Sequence, residues 1–478
     1  MQRFAQPSAW PRVLLALLAL GALIGFFVYP TYPNYDSLYS LIWGKDLLHG
    51  HLPVFAVYRG PTEHPLAIAF GALMSIFGTE GDRLMVGATL ASFVALGAGL
   101  YRLGAAAYSP LVGVIAGFLV LSRFDFPFLA ARGYIDIPYL ALVVWAAALE
   151  TERRKRGLPV FVLLGLASTM RPEAWLLIGA YWLYYVWDKP WRERIKWAVV
   201  SAVGPVVWAL TDLIVTGDPL FSLHSTSALA DELGRASGLG AVPHATWAFL
   251  KNIDKAPVLV LGLVGLLIAI VLVPRRLGLP ALLLGIGLAT FGLVGVAGLS
   301  IIDRYLLIPA LMLMIYAGVA LGGWTLLEKG TARTAWRAFF GVAVAVAVVY
   351  TIGNLNLVRF TNELRFREHY RKDLQAILHN PAVKAGLKCG PLTTPNHKLI
   401  PDVRWLTGLN EHQVLARSDP KTAKRARNGV ALIVTDRYAI LRQAFVTPLD
   451  PAITQVPPRG FSLAARTAYY GAYVRCPR

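Results

Sequence analysis

The chain has 478 residues, of which 56% are hydrophobic and 15% are charged, and its formal net charge is +19. Soluble globular proteins carry about 25% charged residues, so the composition excludes an ordinary soluble domain. A membrane-spanning helix needs roughly 20 apolar residues, and the sequence contains many apolar runs that approach this length. We therefore expect a polytopic membrane protein, and we expect no nucleic-acid partner.

Eleven apolar runs predict membrane-spanning helices. The first run lacks a small-residue cleavage site and is followed by Tyr29 and Pro30, which indicates an uncleaved span rather than a signal peptide. A twelfth run, Pro65 to Gly78, is short for a span and is interpreted as a re-entrant or juxtamembrane segment. The predicted spans are residues 12–29, 84–102, 110–122, 134–150, 158–170, 173–187, 197–215, 257–273, 280–300, 303–323 and 337–353.

Clusters of lysine and arginine in short loops predict the orientation, because such loops stay on the cytoplasmic side. Arg3 and Arg12 place the N-terminus on the same side. The basic clusters lie at residues 152–157, 188–196, 274–276 and 328–337. With eleven spans, the outer face then receives residues 30–83, 123–133, 216–256 and everything after 353.

The apolar pattern stops near Gly353, which predicts a transmembrane domain at 1–353 and a small extracytoplasmic α/β domain at 354–478. The second part contains a helical pattern at 360–380, a buried strand pattern at 429–436 and an alternating strand pattern at 468–476. The protein is thus expected to be an all-α membrane bundle that carries this domain outside the membrane.

Residues 354–478 contain 20 lysines and arginines and 8 acidic residues, which supplies +12 of the chain's +19. A solvated surface that attracts anionic headgroups explains this charge, and contact with an acidic substrate such as a lipid phosphate is the alternative. Cys389 and Cys476 are the only cysteines, and their placement suits a disulfide in an oxidising compartment, with two free thiols as the alternative. The spacing of Cys and His gives no metal signature.

Charged residues beside the predicted spans are candidates for function, since a charge at the centre of a bilayer costs about 2.5–3.5 kcal/mol. Arg132 and Asp136 are four residues apart at the start of a span, so they are predicted to share a helix face. Arg171 and Glu173 lie between two short apolar runs, at a turn on the outer side. Both pairs have a structural alternative, an internal ion pair for the first and a simple helix-starting turn for the second.

Asp303 and Arg304 stand at the outer start of another predicted span, and Asp36 lies in the first outer loop. A carboxylate and several guanidinium groups at one membrane face suit a specific chemistry. The carboxylate accepts a proton from an attacking hydroxyl, and the arginines hold a lipid phosphate as the leaving group.

The ordered motifs resemble the GT-C superfamily of membrane glycosyltransferases, in the branch of protein mannosyltransferases and aminoarabinose transferases. They are YDSLY at 35–39, PTEHPLAIAFGALMSIFG at 61–78, RLMVGATLASFVALGAGLYRLG at 83–104, ARGYIDIPYLAL at 131–142, STMRPEAWLL at 168–177 and DRYLLIPALM at 303–312. The matching features extend from residue 12 to residue 325.

The resemblance implies that Asp36 is the catalytic base, that Asp136 fills a second acidic position and that Arg304 is the arginine of an RYLLP-like segment. It also implies a helical membrane bundle with an extracytoplasmic domain and a polyprenyl-phosphate sugar as donor. The candidate substrate-binding residues are Glu63, His64, Arg132, Asp136, Arg171, Glu173, Asp303, Arg304 and Tyr305.

Simpler roles remain open for several of these residues. The alternative role for Asp36 is to cap a helix together with Asn34, and the alternative for Arg304 is to extend its charge to lipid headgroups. Glu63 and His64 match the family loosely, and they are either exposed loop residues or ligands for a divalent cation. A metal is therefore possible, and no other cofactor is indicated.

The sequence thus predicts a multi-pass enzyme of the cell membrane that transfers a sugar at the outer face, with inversion, to a hydroxyl of a lipid or glycan acceptor. A transporter or lipid flippase is the first alternative, because charges inside a membrane also mark substrate paths. A non-catalytic scaffold is the second. The two halves of the chain show no internal repeat of the kind that many transporters carry.

Overall fold

The computed structural model describes residues 10–354, 357–422 and 426–477. The described chain is mainly helical as far as residue 379. The helices of its first half are α1 (Trp10–Val28), α2 (Tyr35–Leu48), α3 (Pro65–Ser75), α4 (Gly81–Ala107), α5 (Pro110–Ser122), α6 (Asp125–Ala131), α7 (Asp136–Glu152), α8 (Leu158–Met170), α9 (Glu173–Val186) and α10 (Trp191–Thr216).

In the described residues, the second half of the helical part consists of seven further α-helices. It comprises α11 (Phe221–Glu232), α12 (Val242–Asp254), α13 (Ala256–Leu272), α14 (Gly278–Val296), α15 (Leu307–Gly322), α16 (Thr331–Asn354) and α17 (Leu357–His379). A four-residue 3-10 turn, Asp303–Leu306, leads into α15.

Each of the eleven predicted spans coincides with a helix. By length and composition, five helices in the described part of the chain can cross a membrane, or seven if each of two bent pairs forms one span. The bent pairs are α5 with α6, at 65°, and the 239–254 segment with α13, at 107°. Several other predicted spans are short, such as α8 with 13 residues and α9 with 14, so the count of eleven stays a prediction.

Helix α15 lies at the centre of the bundle, and nearly all of its residues are buried, as expected for a helix that is apolar all round. It packs against α5, α13 and α14. A side chain at Gly265 of α13 would collide with the backbone of Tyr316, so this glycine allows the two helix backbones to approach closely.

The short apolar segment Pro65–Ser75 forms α3, which packs against α2 and contacts α4 and α8. With 11 residues it is too short to cross a bilayer. Pro65 occupies its first position, where a missing N–H costs nothing. This agrees with a juxtamembrane or re-entrant segment.

The chain after α17 folds into short helices and a five-stranded sheet. These elements are α18 (Pro381–Gly386), β1 (Leu392–Thr394), α19 (Ile400–Thr407), β2 (Val414–Ala416), β3 (Gly429–Val434), α20 (Arg437–Arg442), β4 (Ser462–Arg466) and β5 (Tyr470–Arg475). The strand order is β2-β1-β3-β5-β4, in which β2, β1 and β3 are parallel and β5 and β4 run antiparallel to their neighbours.

The strand predictions hold with one difference. Strand β3 is buried throughout, as predicted for 429–436, whereas β5 begins with three consecutive buried residues instead of alternating. The reason is that β5 is an inner strand, paired with β3 on one side and β4 on the other. The predicted disulfide joins Cys389 to Cys476, which ties the end of the chain to the segment before β1.

A hydrophobic core joins this α/β part to the start of the bundle. Tyr32, Leu38 and Leu41 pack in the same cluster as Leu374 and Trp405. The chain around Tyr32 and Leu38 is therefore covered by the α/β part, and the carboxylate of the YDSLY motif lies near that contact.

Candidate active site

Asp36 lies in the first turn of α2, where a negative charge is favoured by the helix dipole. The cap of this helix is Asn34, whose Oδ1 accepts a hydrogen bond from the Ser37 N–H at 3.0 Å. The alternative that Asp36 caps the helix is therefore wrong. Its carboxylate is available for another contact.

Arg304 connects two carboxylates that are far apart in sequence. Its Nη1 lies 3.1 Å from Asp36 Oδ2 and 3.4 Å from Asp136 Oδ2. The 3-10 turn before α15 holds this arginine, while α2 and α7 supply the two acids from their first turns. Three separate segments thus converge at one point.

Arg171 extends the series on the other side of Asp136. Its Nη1 donates to Asp136 Oδ1, and its Nη2 donates to Glu173 Oε1 at 2.6 Å. We call the series Asp36, Arg304, Asp136, Arg171 and Glu173 the ion chain. Carboxylates and guanidinium groups alternate along it, so every charged side chain has a neighbour of opposite charge.

Burial changes along the ion chain. The side chains of Asp136, Arg171 and Glu173 are 1%, 7% and 10% exposed, whereas those of Asp36 and Arg304 are 19% and 29% exposed. The Asp36–Arg304 end of the ion chain is therefore open to solvent, while the other end is packed inside the bundle.

Tyrosine rings restrain the two arginines. The Arg171 guanidinium lies 5.4 Å from the centre of the Tyr305 ring and 5.7 Å from that of Tyr139. The Arg304 guanidinium lies 5.8 Å from the Tyr134 ring. These distances are in the range of cation–π attraction. Tyr305 was among the sequence candidates, whereas Tyr134 and Tyr139 were not, although both belong to the ARGYIDIPYLAL motif.

Arg235 is a site residue that the sequence reasoning missed. It follows α11, and its Nη1 lies 3.5 Å from Ser300 Oγ. Burial lowers the pKa of Arg235, the charge of Arg304 lowers it further, and Asp36 opposes both effects. Arg235 therefore interacts electrostatically with Asp36 and Arg304. In the described part of the structure it forms no ion pair of its own.

Glu63 is buried, with 1% of its surface exposed, so the interpretation of it as an exposed loop residue is wrong. Its Oε1 accepts from Ser222 Oγ at 3.0 Å, and the same hydroxyl lies 2.7 Å from Asp212 Oδ2. Trp208 Nε1 donates to this hydroxyl at 2.7 Å. Burial and the neighbouring Asp212 raise the pKa of Glu63 to about 8.

The sequence reasoning missed Asp212 and Ser222, since neither belongs to a motif. We call Glu63 and Asp212, which share the Ser222 hydroxyl, the acid pair. Glu63 and Asp212 offer two carboxylates, and the described residues contain no group of three or more His, Cys, Asp or Glu side chains that could hold a metal ion.

His64 lies next to this group and packs edge-on against the Trp208 ring, with 5.6 Å between the ring centres. Burial, followed by the charge of Arg171, lowers the pKa of His64 to about 4. Its ring is thus neutral at physiological pH. Its Nδ1 is buried and has no hydrogen-bond partner among the described residues.

Arg132 and Asp303 are further sequence candidates that lie outside the ion chain. Arg132 ends α6, Gly133 follows with φ of 66°, and Asp136 begins α7, so the prediction that Arg132 and Asp136 share a helix face is wrong. The left-handed turn at Gly133 separates the two side chains. Asp303 is exposed and forms no ion pair with any residue in the described ranges.

An apolar cavity of about 440 Å³ lies beside the buried end of the ion chain. Ile135 and Met170 line it, and each is the neighbour in sequence of an ion-chain residue. The other lining residues are Leu66, Ala67, Phe70, Met85, Ala88, Thr89, Ser92, Ala95, Pro138, Ala141, Leu142, Trp145, Leu163 and Leu166.

Comparison with protein-family models and with the sequences of curated proteins finds no match. Comparison with solved structures finds strong likeness. ArnT from Cupriavidus metallidurans bound to undecaprenyl phosphate is 15% identical, with a TM-score of 0.55, and the match covers 98% of this chain and 98% of ArnT. The apo state of ArnT gives 16% identity, a TM-score of 0.56 and coverage of 97% and 98%.

The oligosaccharyltransferase from Archaeoglobus fulgidus, in its apo form, is 11% identical, with a TM-score of 0.51. The match covers 90% of this chain and 70% of that enzyme. The fold expected from the sequence motifs is therefore confirmed, and the chain shares it with ArnT and with this oligosaccharyltransferase.

Proposed function

We propose that the protein is a membrane glycosyltransferase that moves a sugar from a polyprenyl-phosphate donor to a hydroxyl of a lipid or glycan acceptor. The observation that carries this proposal is the contact of Asp36 with Arg304 at the open end of the ion chain. It pairs a proton acceptor with a phosphate-binding group, within a fold shared with ArnT, which has been crystallised with undecaprenyl phosphate.

Asp36 is the catalytic base in this mechanism. The acceptor oxygen forms a bond to the anomeric carbon while the bond from that carbon to the donor phosphate oxygen breaks on the opposite face. The hydroxyl proton passes to the Asp36 carboxylate, and the electron pair of the broken bond leaves with the polyprenyl phosphate. A single displacement of this kind inverts the anomeric centre, and correct alignment of both substrates lowers its barrier.

Arg304 stabilises the leaving phosphate. Only one of its terminal nitrogens is engaged by the two carboxylates, so the other N–H groups of the planar fork remain for a phosphate. Charge grows on the phosphate oxygen as the bond breaks, and a fixed guanidinium stabilises that charge without reorganisation. Arg235 adds a second positive charge at the open end of the ion chain.

Asp136 holds Arg304 rather than acting as a base. Its two oxygens are engaged by two different arginines, and it is the most buried member of the ion chain. Arg171 is occupied on both sides by Asp136 and Glu173, so we assign it to the support of Asp136. Neutral His64, with an unoccupied ring nitrogen, is a hydrogen-bond donor for the phosphate.

The apolar cavity suits the isoprenoid chain of the donor. Its wall contains a single turn of polar residues, Thr89 and Ser92, and is otherwise made of aliphatic and aromatic side chains. Because Ile135 in the cavity wall directly precedes Asp136, an isoprenoid tail in this cavity would place its phosphate close to the ion chain.

The topology follows from the same proposal. We infer that the N-terminus lies in the cytoplasm and that residues 354–478 form an extracytoplasmic domain on top of the bundle. The basic loops support this orientation by the positive-inside tendency. The disulfide supports an oxidising compartment for the α/β part.

Asp36→Asn tests the proposal. The variant keeps the size of the side chain at a partly exposed position, so folding and membrane insertion are expected to persist. Loss of a general base lowers turnover by about 10²–10⁴-fold. The measurement is sugar transfer from a radiolabelled polyprenyl-phosphate donor in membranes or detergent.

Glu80→Gln is the matched control, because Glu80 is an exposed acid of the same outer region. It is expected to keep full activity. Near-normal turnover of the Asp36→Asn protein would remove Asp36 from the mechanism and with it the proposed reaction.

A further inference from the structure

The segment that carries Asp36 is bonded along its length to the turn that precedes Asp136. The Thr31 hydroxyl donates to the Ala131 carbonyl, and the Asn34 N–H donates to the Arg132 carbonyl at 2.7 Å. Ser37 Oγ donates to the Gly133 carbonyl at 2.6 Å. The two segments run side by side, so a displacement of one moves the acid on the other.

Tyr32 stands at the centre of this contact between two arginines. The Arg132 guanidinium lies 4.0 Å from the centre of its ring, and the Arg371 guanidinium lies 4.9 Å from it. Arg132 Nη1 also donates to the Tyr32 carbonyl at 2.7 Å. Tyr32 and both arginines are buried, so none of the three is placed to contact a substrate.

Arg371 is itself fixed from two sides. Its Nη2 lies 2.8 Å from Asp82 Oδ2 at the start of α4, and its Nη1 lies 3.1 Å from Asp402 Oδ1 in α19. Both pairs are shielded from water, where charge pairs are less screened. A continuous path of contacts therefore leads from the α/β part through Arg371 and Tyr32 to the segment of Asp36.

We propose that Arg132, Tyr32 and Arg371 form a brace that positions Asp36 against Arg304, and that the α/β part serves the reaction through this brace. The inference rests on the proposed function, because it assigns positioning residues to the base of that reaction. It also gives Arg132 a role other than the substrate contact expected from the sequence.

The brace acts on the geometry of the base and not on the donor phosphate. Loss of the brace therefore lowers kcat and leaves the KM for the donor unchanged. A residue with a merely structural role would change the amount of folded enzyme without this separation of kcat from KM.

Tyr32→Leu tests the brace, and Tyr32→Phe is its matched control. Phenylalanine keeps the ring and both cation–π contacts, whereas leucine keeps an apolar side chain and loses both. We expect Tyr32→Leu to lower kcat 10- to 100-fold, with a donor KM within twofold of the wild type. Tyr32→Phe should retain at least half of kcat. Thermal unfolding of each purified protein establishes the folded fraction.

Arg132→Lys provides a second test if the leucine variant does not fold. Lysine keeps the buried positive charge but lacks the planar fork that stacks on the ring and reaches the Tyr32 carbonyl. A three- to tenfold lower kcat with an unchanged donor KM is expected. Wild-type kcat in Arg132→Lys, equal kcat in the two Tyr32 variants, or a changed donor KM in place of a changed kcat would overturn the brace.

The Asp36→Asn background separates this inference from the proposed function. If Asp36 is the base and the brace acts through it, adding Tyr32→Leu to Asp36→Asn lowers the residual turnover no further. If Asp36→Asn alone keeps near-normal turnover, the proposed function fails whatever the Tyr32 variants do. A further loss in the double variant contradicts the brace alone.

Discussion

The helical bundle contains two groups of buried acids that differ in their partners. Asp136 lies between Arg171 and Arg304, and each of its oxygens faces a guanidinium group. Glu63 and Asp212 instead share the hydroxyl of Ser222, and neither forms an ion pair with a residue that the structure describes.

The exposure of these acids is the same, since Asp136, Glu63 and Asp212 each expose 1% of their surface. Burial alone disfavours a charge, and an adjacent cation or hydrogen-bond donor reverses that preference. Ser222 shares its hydroxyl proton between the two carboxyl groups and donates its N–H to Asp212 alone, so the buried charge of Glu63 is the less well satisfied of the two. Asp136 therefore has a guanidinium group beside each of its oxygens, whereas burial raises the pKa of Glu63.

Removal of the central charge is the change with the largest expected effect. Asp136→Asn leaves Arg171 and Arg304 without a shared partner, and breaking one side of a buried ion pair costs about 3–5 kcal/mol. We expect a lower unfolding temperature together with loss of sugar transfer, because Arg304 is no longer held. Thermal unfolding followed by tryptophan fluorescence and the radiolabelled transfer assay measure the two effects.

Glu80→Gln again serves as the control with an exposed acid. If Asp136→Asn unfolds at the wild-type temperature and transfers sugar normally, the ion chain has no part in either stability or activity.

The next largest effect is expected at the open end of the ion chain. Arg304→Ala removes the group assigned to the phosphate, and a hydrogen bond to a charged group contributes about 1.5–3 kcal/mol. The affinity for the donor should therefore fall roughly 10- to 100-fold. Binding of undecaprenyl phosphate to the purified protein, followed by calorimetry, measures this change.

Arg304→Lys keeps the charge without the planar fork and should give an intermediate affinity. An unchanged affinity in Arg304→Ala would mean that this arginine only reaches towards lipid headgroups.

The members of the ion chain could be predicted from the sequence because they are charged residues beside apolar runs. A charge near the bilayer is unfavourable in free energy, so such residues are candidates for function. Asp36, Arg304 and Glu173 all occur in motifs of this type. Their order within the bundle is a tertiary property, and only the structure brings positions 36 and 304 together. The sequence therefore predicted the members of the site better than their contacts.

The errors have local physical causes. The shared helix face of Arg132 and Asp136 assumed a continuous helix, and Gly133 ends one helix in a left-handed conformation before the next begins. Arg235 and Ser222 lie in a polar segment without a periodic pattern, so nothing in the sequence indicated which of its residues would face the site. The helices of the bundle were predicted from apolar runs, whereas the number that cross the membrane depends on tilt and packing as well as on composition.

A smaller and pH-dependent effect is expected from the acid pair. The pKa of Glu63 is raised from its ordinary value of 4.5 to about 8, so the folded protein binds more protons than the unfolded chain between these values. The free energy of unfolding therefore falls as the pH rises through this window and changes little beyond it. Glu63→Gln keeps a neutral side chain of similar shape and should remove this loss.

The measurement compares unfolding temperatures of the wild type and Glu63→Gln at pH 6.5 and pH 9. The wild type should lose more stability over this range than the variant. The pKa of His64, lowered from 6.5 to about 4, also changes stability near pH 6.5, but both proteins contain His64, so this contribution cancels in the comparison. Equal losses in the two proteins would mean that Glu63 is already ionised at pH 6.5.

The smallest effect is expected at Asp303, the sequence neighbour of Arg304. Asp303 is exposed and takes no part in the ion chain, and substitutions at such surface positions usually change stability by less than about 0.5 kcal/mol. We expect Asp303→Asn to retain sugar transfer and donor affinity within twofold of the wild type. A loss comparable to that of Arg304→Ala would place Asp303 in the site and would mean that burial and ion pairing are poor guides to its working members. The same assays used for Arg304 thus test whether two adjacent charges in one motif have different roles.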